Sequence, residues 1–148
     1  EEALVSGRGL DKLRAMIRAQ GGDPSVCDDM DRLPQAPVKR SVFMQTSGVV
    51  CDMDTMALGL AAQAMGAGRM KKTDLIDPSV GLILHVRIGD RVQEDTLLCE
   101  LFARTEAEAD QAEKAIRSAI LVGNEPVLPP PLWYAIVTEE GITYPEKR

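Results

Sequence analysis

Residues 66–92, G-A-G-R-M-K-K-T-D-L-I-D-P-S-V-G-L-I-L-H-V-R-I-G-D-R-V, constrain the chain more than any other stretch. Gly66 follows an apolar run with helical spacing, and a glycine there supplies the left-handed position on which helices commonly end. A charged segment follows, then residues 80–88, where Val80, Leu82, Leu84, Val86 and Ile88 alternate with Gly81, Ile83, His85 and Arg87. That period of two predicts a strand with one covered face. Gly89-Asp90 then predicts a tight turn. A helix, a loop of thirteen residues (67–79), a strand and a turn in succession require the flanking segments to supply the remaining strands.

Those segments read as follows. Residues 8–20 place Leu10, Leu13, Met16 and Ile17 on one helical face, closed by Gly21-Gly22. Residues 23–37 are rich in Asp and Pro and aperiodic, which predicts a loop or linker. Residues 38–46 alternate with neither face purely apolar, as in a strand near an edge, and residues 49–53 form a second short strand. Asp54 is a good N-cap for residues 55–65, which are apolar almost all round and so predict a helix that is buried or packed on two sides. Residues 91–95 are short and polar, and residues 96–102 form the next strand. Thr105-Glu106-Ala107-Glu108 is a capping box for a helix over 106–119 with an alanine-rich stripe, its Glu108 side chain expected to reach back to the cap. After a proline-rich loop, residues 132–138 are expected to be the last strand, closing the sheet before a short tail. The order α, β, β, α, β, β, α, β predicts an α+β fold with a mostly antiparallel sheet.

Composition narrows the partners. With 17 basic and 23 acidic residues, the net charge of −6 disfavours nucleic acid and anionic membranes. Apolar runs all fall short of the roughly 18 residues that cross a bilayer. Cys27, Cys51 and Cys99 are odd in number, widely spaced and outside any CxxC, as expected of reduced thiols in the cytoplasm. A chain of 148 residues opening on Glu1 is expected to be a piece of a longer protein, one domain with short additions.

Catalytic and metal chemistry find little footing. His85 is the one histidine and sits in mid-strand, where a half-buried strand residue accounts for it. Dispersed cysteines provide no zinc spacing, and Asp28-Asp29-x-Asp31 lacks the glycine and terminal glutamate of a calcium loop. Asp52-x-Asp54 is explained by capping. Gly66-Ala67-Gly68-Arg69 is no phosphate loop, because it follows a helix where a dinucleotide loop precedes one. Arg69, Lys71 and Lys72 are left as candidates to face an anion held by another domain.

Five segments in register carry a specific resemblance: A-Q-G-G-D-P-S-V from Ala19, L-P-Q-A from Leu33, M-G-A-G-R from Met65, I-D-P-S-V-G from Ile76 and I-G-D-R-V from Ile88. In order and spacing the chain resembles the C-terminal part of the pyrimidine-nucleoside phosphorylases, a family that includes the thymidine phosphorylases. The resemblance implies an enzyme that cleaves a pyrimidine nucleoside with phosphate to free base and pentose 1-phosphate; from the residues of this chain, no cofactor and no metal are expected. It implies a homodimer whose helical and central domains bind the pyrimidine nucleoside and phosphate and supply the general acid. Those motifs precede this stretch, so no catalytic residue is carried over, and the fragment alone is expected to be inactive. Residues 1–22 are then the trailing helix of the central domain, 23–36 a linker, and 37–148 a domain of the α/β-hammerhead type, related to lipoyl and biotinyl carriers. Asp95 stands where many relatives have glycine, and the tail around Pro129-Pro130-Pro131 and Trp133-Tyr134 departs from the pattern. Two alternatives stay open: the same module in an archaeal-type nucleoside monophosphate phosphorylase, and a carrier domain with Met70-Lys71 as the modified site.

Overall fold

In the computed structural model, which describes residues 1–144, a helical turn α1 (Glu2–Val5) leads through Gly7 (φ +77°) into helix α2 (Arg8–Ala19). Residues 145–148, the end of the expected domain, lie outside the described residues. Gly21 (φ +79°) ends α2, its amide donating to the Arg18 carbonyl. Leu10, Leu13 and Met16 share a face as expected, yet α2 contains no buried residue. The segment read as an aperiodic loop instead holds two 3₁₀ turns, Pro24–Cys27 and Met30–Arg32. Each is set locally by an aspartate: Asp23 accepts from the Ser25 amide (2.9 Å) and hydroxyl (2.6 Å), and Asp29 from the Asp31 amide (3.2 Å). Arg14 joins α2 to the first turn through Asp28 (2.6 Å).

Two three-stranded antiparallel sheets replace the single sheet expected. The first has strand β1 (Val38–Phe43) and strand β3 (Gly81–Leu84) on either side of β5 (Leu97–Ala103), with Val42 opposite Cys99 and Leu82 opposite Leu101. The second orders β4 (Arg91–Val92), β2 (Gly48–Met53) and β6 (Ile120–Gly123). Two of these strands correct the sequence reading. β4 is a two-residue strand inside a segment read only as short and polar. β6 follows the last helix directly through Ala119, so its short apolar run carries no break that separates it from the helix. Residues 132–138 do not close a sheet. Only β7 (Ile136–Thr138) is extended, and among the described residues it pairs with β8 (Gly141–Thr143) as a separate ribbon.

Asp54 caps α3 (Thr55–Ala62), accepting from the Ala57 amide at 2.9 Å. A π-turn over Gln63–Ala67 follows, and Gly66 (φ +109°) breaks it. Leu58, Ala61 and Met65 are buried, whereas Met56 is 72% and Leu60 53% exposed. The helix is therefore packed on one side, not two. Thr105 caps α4 (Glu106–Ser118), its hydroxyl accepting from the Glu108 amide at 3.2 Å. The return half of the capping box is redirected. Glu108 accepts from the Arg104 amide (3.2 Å) and guanidinium (2.7 Å), because the arginine brings a charge that the cap amide lacks.

α4 lies on β5 and β1 and against α3, burying Ala109, Ala112 and Ile116. With Val42, Val50, Met65, Leu98 and Leu101 they form one core, where each large apolar side chain contributes about 1.5–3 kcal/mol. Arg40 on β1 then ties the helix edge. Its guanidinium pairs with Glu106, with Asp110 at 2.6 Å and with Glu113 at 3.3 Å, three carboxylates along one stripe of α4. Hydrogen bonds to Asp110 and Glu106 raise the Arg40 pKa further above its ordinary value.

The Gly89-Asp90 turn is tied to β2: the Gly89 amide donates to the Val50 carbonyl (2.8 Å), and the Val50 amide to the Asp90 carbonyl (3.0 Å). Gly89 has φ +95°, and a Cβ there would lie 3.0 Å from the Val127 carbonyl oxygen and 3.1 Å from Pro129 Cδ. Gly89→Ala is expected to destabilise the chain by about 1–3 kcal/mol through the left-handed backbone, as urea unfolding would measure. Arg40→Met, which keeps the apolar stem, is expected to cost about 1–2 kcal/mol in the same assay. That loss should shrink in 1 M salt, since the three pairs are partly solvated; a loss unaffected by salt would assign Arg40 a packing role instead.

Candidate functional site

The loop between α3 and β3 is built from its neck outward. At the neck the Asp77 amide donates to the Gly66 carbonyl at 3.0 Å. Asp77 also accepts from the Ser79 amide (2.9 Å) and hydroxyl (2.6 Å). These Ser79 hydrogen bonds, with a smaller contribution from the Arg104 charge, hold the Asp77 carboxyl below the usual carboxylate range. Midway, Asp74 Oδ2 accepts from the Met70 amide (3.1 Å) and the Lys71 amide (2.8 Å), while the Asp74 amide donates to the Lys71 carbonyl (3.0 Å). Gln63, at the end of α3, donates to the Arg69 carbonyl. The backbone is therefore fixed at two levels, and the side chains at the tip point outward.

Arg69, Lys71 and Lys72 are all exposed, and among the described residues none forms an ion pair or side-chain hydrogen bond. Arg14, Arg40, Arg104 and Arg117 are each engaged by carboxylates. The three candidates thus share one loop, and among the described residues their three charges are unpaired. The anchors Asp74 and Asp77 escaped the sequence reading. Their signals were available: an aspartate three residues after Lys71, and Asp77-Pro78-Ser79, which places a hydroxyl two residues after a carboxylate.

The other candidate chemistry resolves into structure. His85 Nε2 lies 2.9 Å from Glu100 Oε2 across the β3–β5 pair, on the half-exposed outer face. Cys99 lies on the opposite, fully buried face, where desolvation pushes its thiol up to about 11 and keeps it protonated. Cys51 donates to the Val49 carbonyl at 3.3 Å. Asp28 pairs with Arg14, Asp29 and Asp54 are caps, and Asp52 accepts from the Met53 amide. Among the described residues no group of three His, Cys, Asp or Glu is placed to hold a metal ion. Lys71 follows a helix and its π-turn, not the tip of a hairpin, which is where a carrier lysine sits.

Among the described residues, clefts open on the surface at two places away from the loop. One of about 180 Å³ lies between the sheets and is lined by Met44, Leu98, Ile120, Val122 and Arg117 among others. The other, of about 70 Å³, runs between α3 and α4 over Ala61, Met65 and Ala112. Neither touches Arg69, Lys71 or Lys72.

The family described as the pyrimidine nucleoside phosphorylase C-terminal domain matches residues 49–123, from β2 through the candidate loop to β6. Proteins named pyrimidine-nucleoside phosphorylase from Staphylococcus aureus strains USA300, NCTC 8325 / PS 47 and MSSA476 are each 36% identical over 138 residues. Those matches take in 93% of this chain and 31% of each relative, so the chain spans about a third of their length. No helix among the described residues is long and apolar enough to cross a membrane. The chain belongs to the pyrimidine nucleoside phosphorylase C-terminal domain family.

Proposed function

We propose that this chain is the terminal part of an enzyme that cleaves a pyrimidine nucleoside with phosphate, giving the free base and a pentose 1-phosphate. The family match over residues 49–123 carries that reading. In it, the chain frames the substrate cleft, and the preceding helical and central domains hold nucleoside and phosphate and supply the general acid. The enzyme works as a cytoplasmic homodimer. Residues 1–22 are the trailing helix of the central domain, 23–36 the linker, and 37–148 the terminal domain. The open Leu10–Leu13–Met16 stripe of α2 supports that division, since an amphipathic helix gains its stability from a partner over its apolar face.

Arg69, Lys71 and Lys72 are proposed to face the phosphate side of the closed cleft. Three exposed cations raise the local concentration of a dianion without contacting the reacting atoms. They are positioning residues.

Full-length enzyme given uridine or thymidine with phosphate is expected to release free base, followed by chromatography, whereas residues 1–148 alone should release none. Turnover by residues 1–148 alone would overturn the framing role; no turnover by the full-length enzyme would overturn the activity. In the full-length enzyme, combined Arg69→Ala, Lys71→Ala and Lys72→Ala should raise KM for phosphate about threefold to tenfold and leave kcat nearly unchanged. An unchanged KM at low ionic strength would remove the loop from the cleft.

A further inference from the structure

The β7–β8 ribbon does not explain its own stability. Its pairs are Ile136 with Thr143, Val137 with Ile142 and Thr138 with Gly141, and every one of these residues is exposed. The alternation of an extended chain puts Val137, Ile142 and Tyr144 on one face, where they are 74%, 57% and 69% exposed. A lone two-stranded hairpin is marginal in water and needs a third element or a covered apolar face. Val127 and Pro129 lie against the Gly89 turn, which places the start of the segment that leads to the ribbon.

We propose that the ribbon is a clasp, its Val137–Ile142–Tyr144 face seated on an apolar surface of the part of the same enzyme that lies outside this chain. This rests on the reading that the chain is the terminal part of a longer phosphorylase. Two observations choose that occupant. The chain matches 31% of its relatives' length, and the match covers 138 of 148 residues, so it includes β7 even with every unmatched residue at the C-terminus. The strand therefore belongs to what is shared with proteins that carry the other two thirds. Area is the second. Three side chains on a short ribbon offer at most a few hundred Å², below the roughly 800 Å² per partner of a stable complex between separate molecules. Within one polypeptide the effective concentration is in the millimolar range, and so small a contact suffices.

Hydrogen exchange on the full-length enzyme tests the clasp. The amides of residues 136–143 are expected to exchange about a hundredfold more slowly than unstructured chain. Combined Val137→Asp and Ile142→Asp should restore nearly unstructured rates there while the β5 amides stay protected. Should that variant fail to fold, the milder Val137→Ser is expected to accelerate the ribbon alone. Ribbon amides that exchange at unstructured rates in the wild-type enzyme, or that ignore the substitutions, would overturn the proposal. So would protection lost on dilution as dimers dissociate, which would assign the face to a second copy. Phosphorolysis on the same samples separates the two readings: an active enzyme with an unprotected ribbon refutes the clasp alone. An inactive enzyme with a protected ribbon refutes the activity alone.

Discussion

Helix α4 reaches strand β5 only because the face it presents there is small. Ala109 and Ala112 bring the helix backbone close to the strand, and Ile116 fills the space that the alanines leave farther along. Interiors pack as tightly as organic crystals, so this spacing dictates what the neighbours are allowed to be. On β5 the fully buried face alternates small and large side chains, Cys99, Leu101 and Ala103, so the helix meets a strand surface of uneven height. Arg40 then sets its rotation, because only one azimuth brings Glu106, Asp110 and Glu113 within reach of a single guanidinium. Direct passage from Ala119 into β6 carries that placement to the second sheet.

What the sequence makes legible follows from the range over which each cause acts. Asp54 and Thr105 announce their helices because a cap is decided within three residues. Gly66 and Gly89 announce their breaks because a left-handed backbone is a property of one residue. Alternation on residues 80–88 predicts the correct inner face, with Val80 and Val86 buried and Ile83 exposed. The division into two sheets is not written locally. β2 and β5 are both short and apolar, and nothing in either says that one pairs with β6 and the other with β1. β6 itself hides behind a helix that ends without a glycine or proline to mark it.

The same contrast holds for the candidate loop. Its cations stand out as a cluster in the chain, and the fold keeps them together and uncompensated. The carboxylates that shape it do not stand out, since Asp74 and Asp77 act on backbone amides whose positions the loop itself creates. The outer face of α3 shows the reverse error: apolar residues all round suggested a buried helix, yet Met56 and Leu60 lie open. Hydrophobicity states what a face could bury, and topology decides whether anything arrives to cover it.

The Gly66–Asp77 hydrogen bond closes the loop at its neck, and residues 69–75 beyond it include no buried side chain. Closure entropy grows only with the logarithm of length, so doubling such a loop costs about 0.6 kcal/mol. Residues 69–75 are therefore the place where descendants of this domain are free to lengthen, shorten or recharge without rebuilding either sheet. The neck is a fixed socket, and the tip is an exchangeable part.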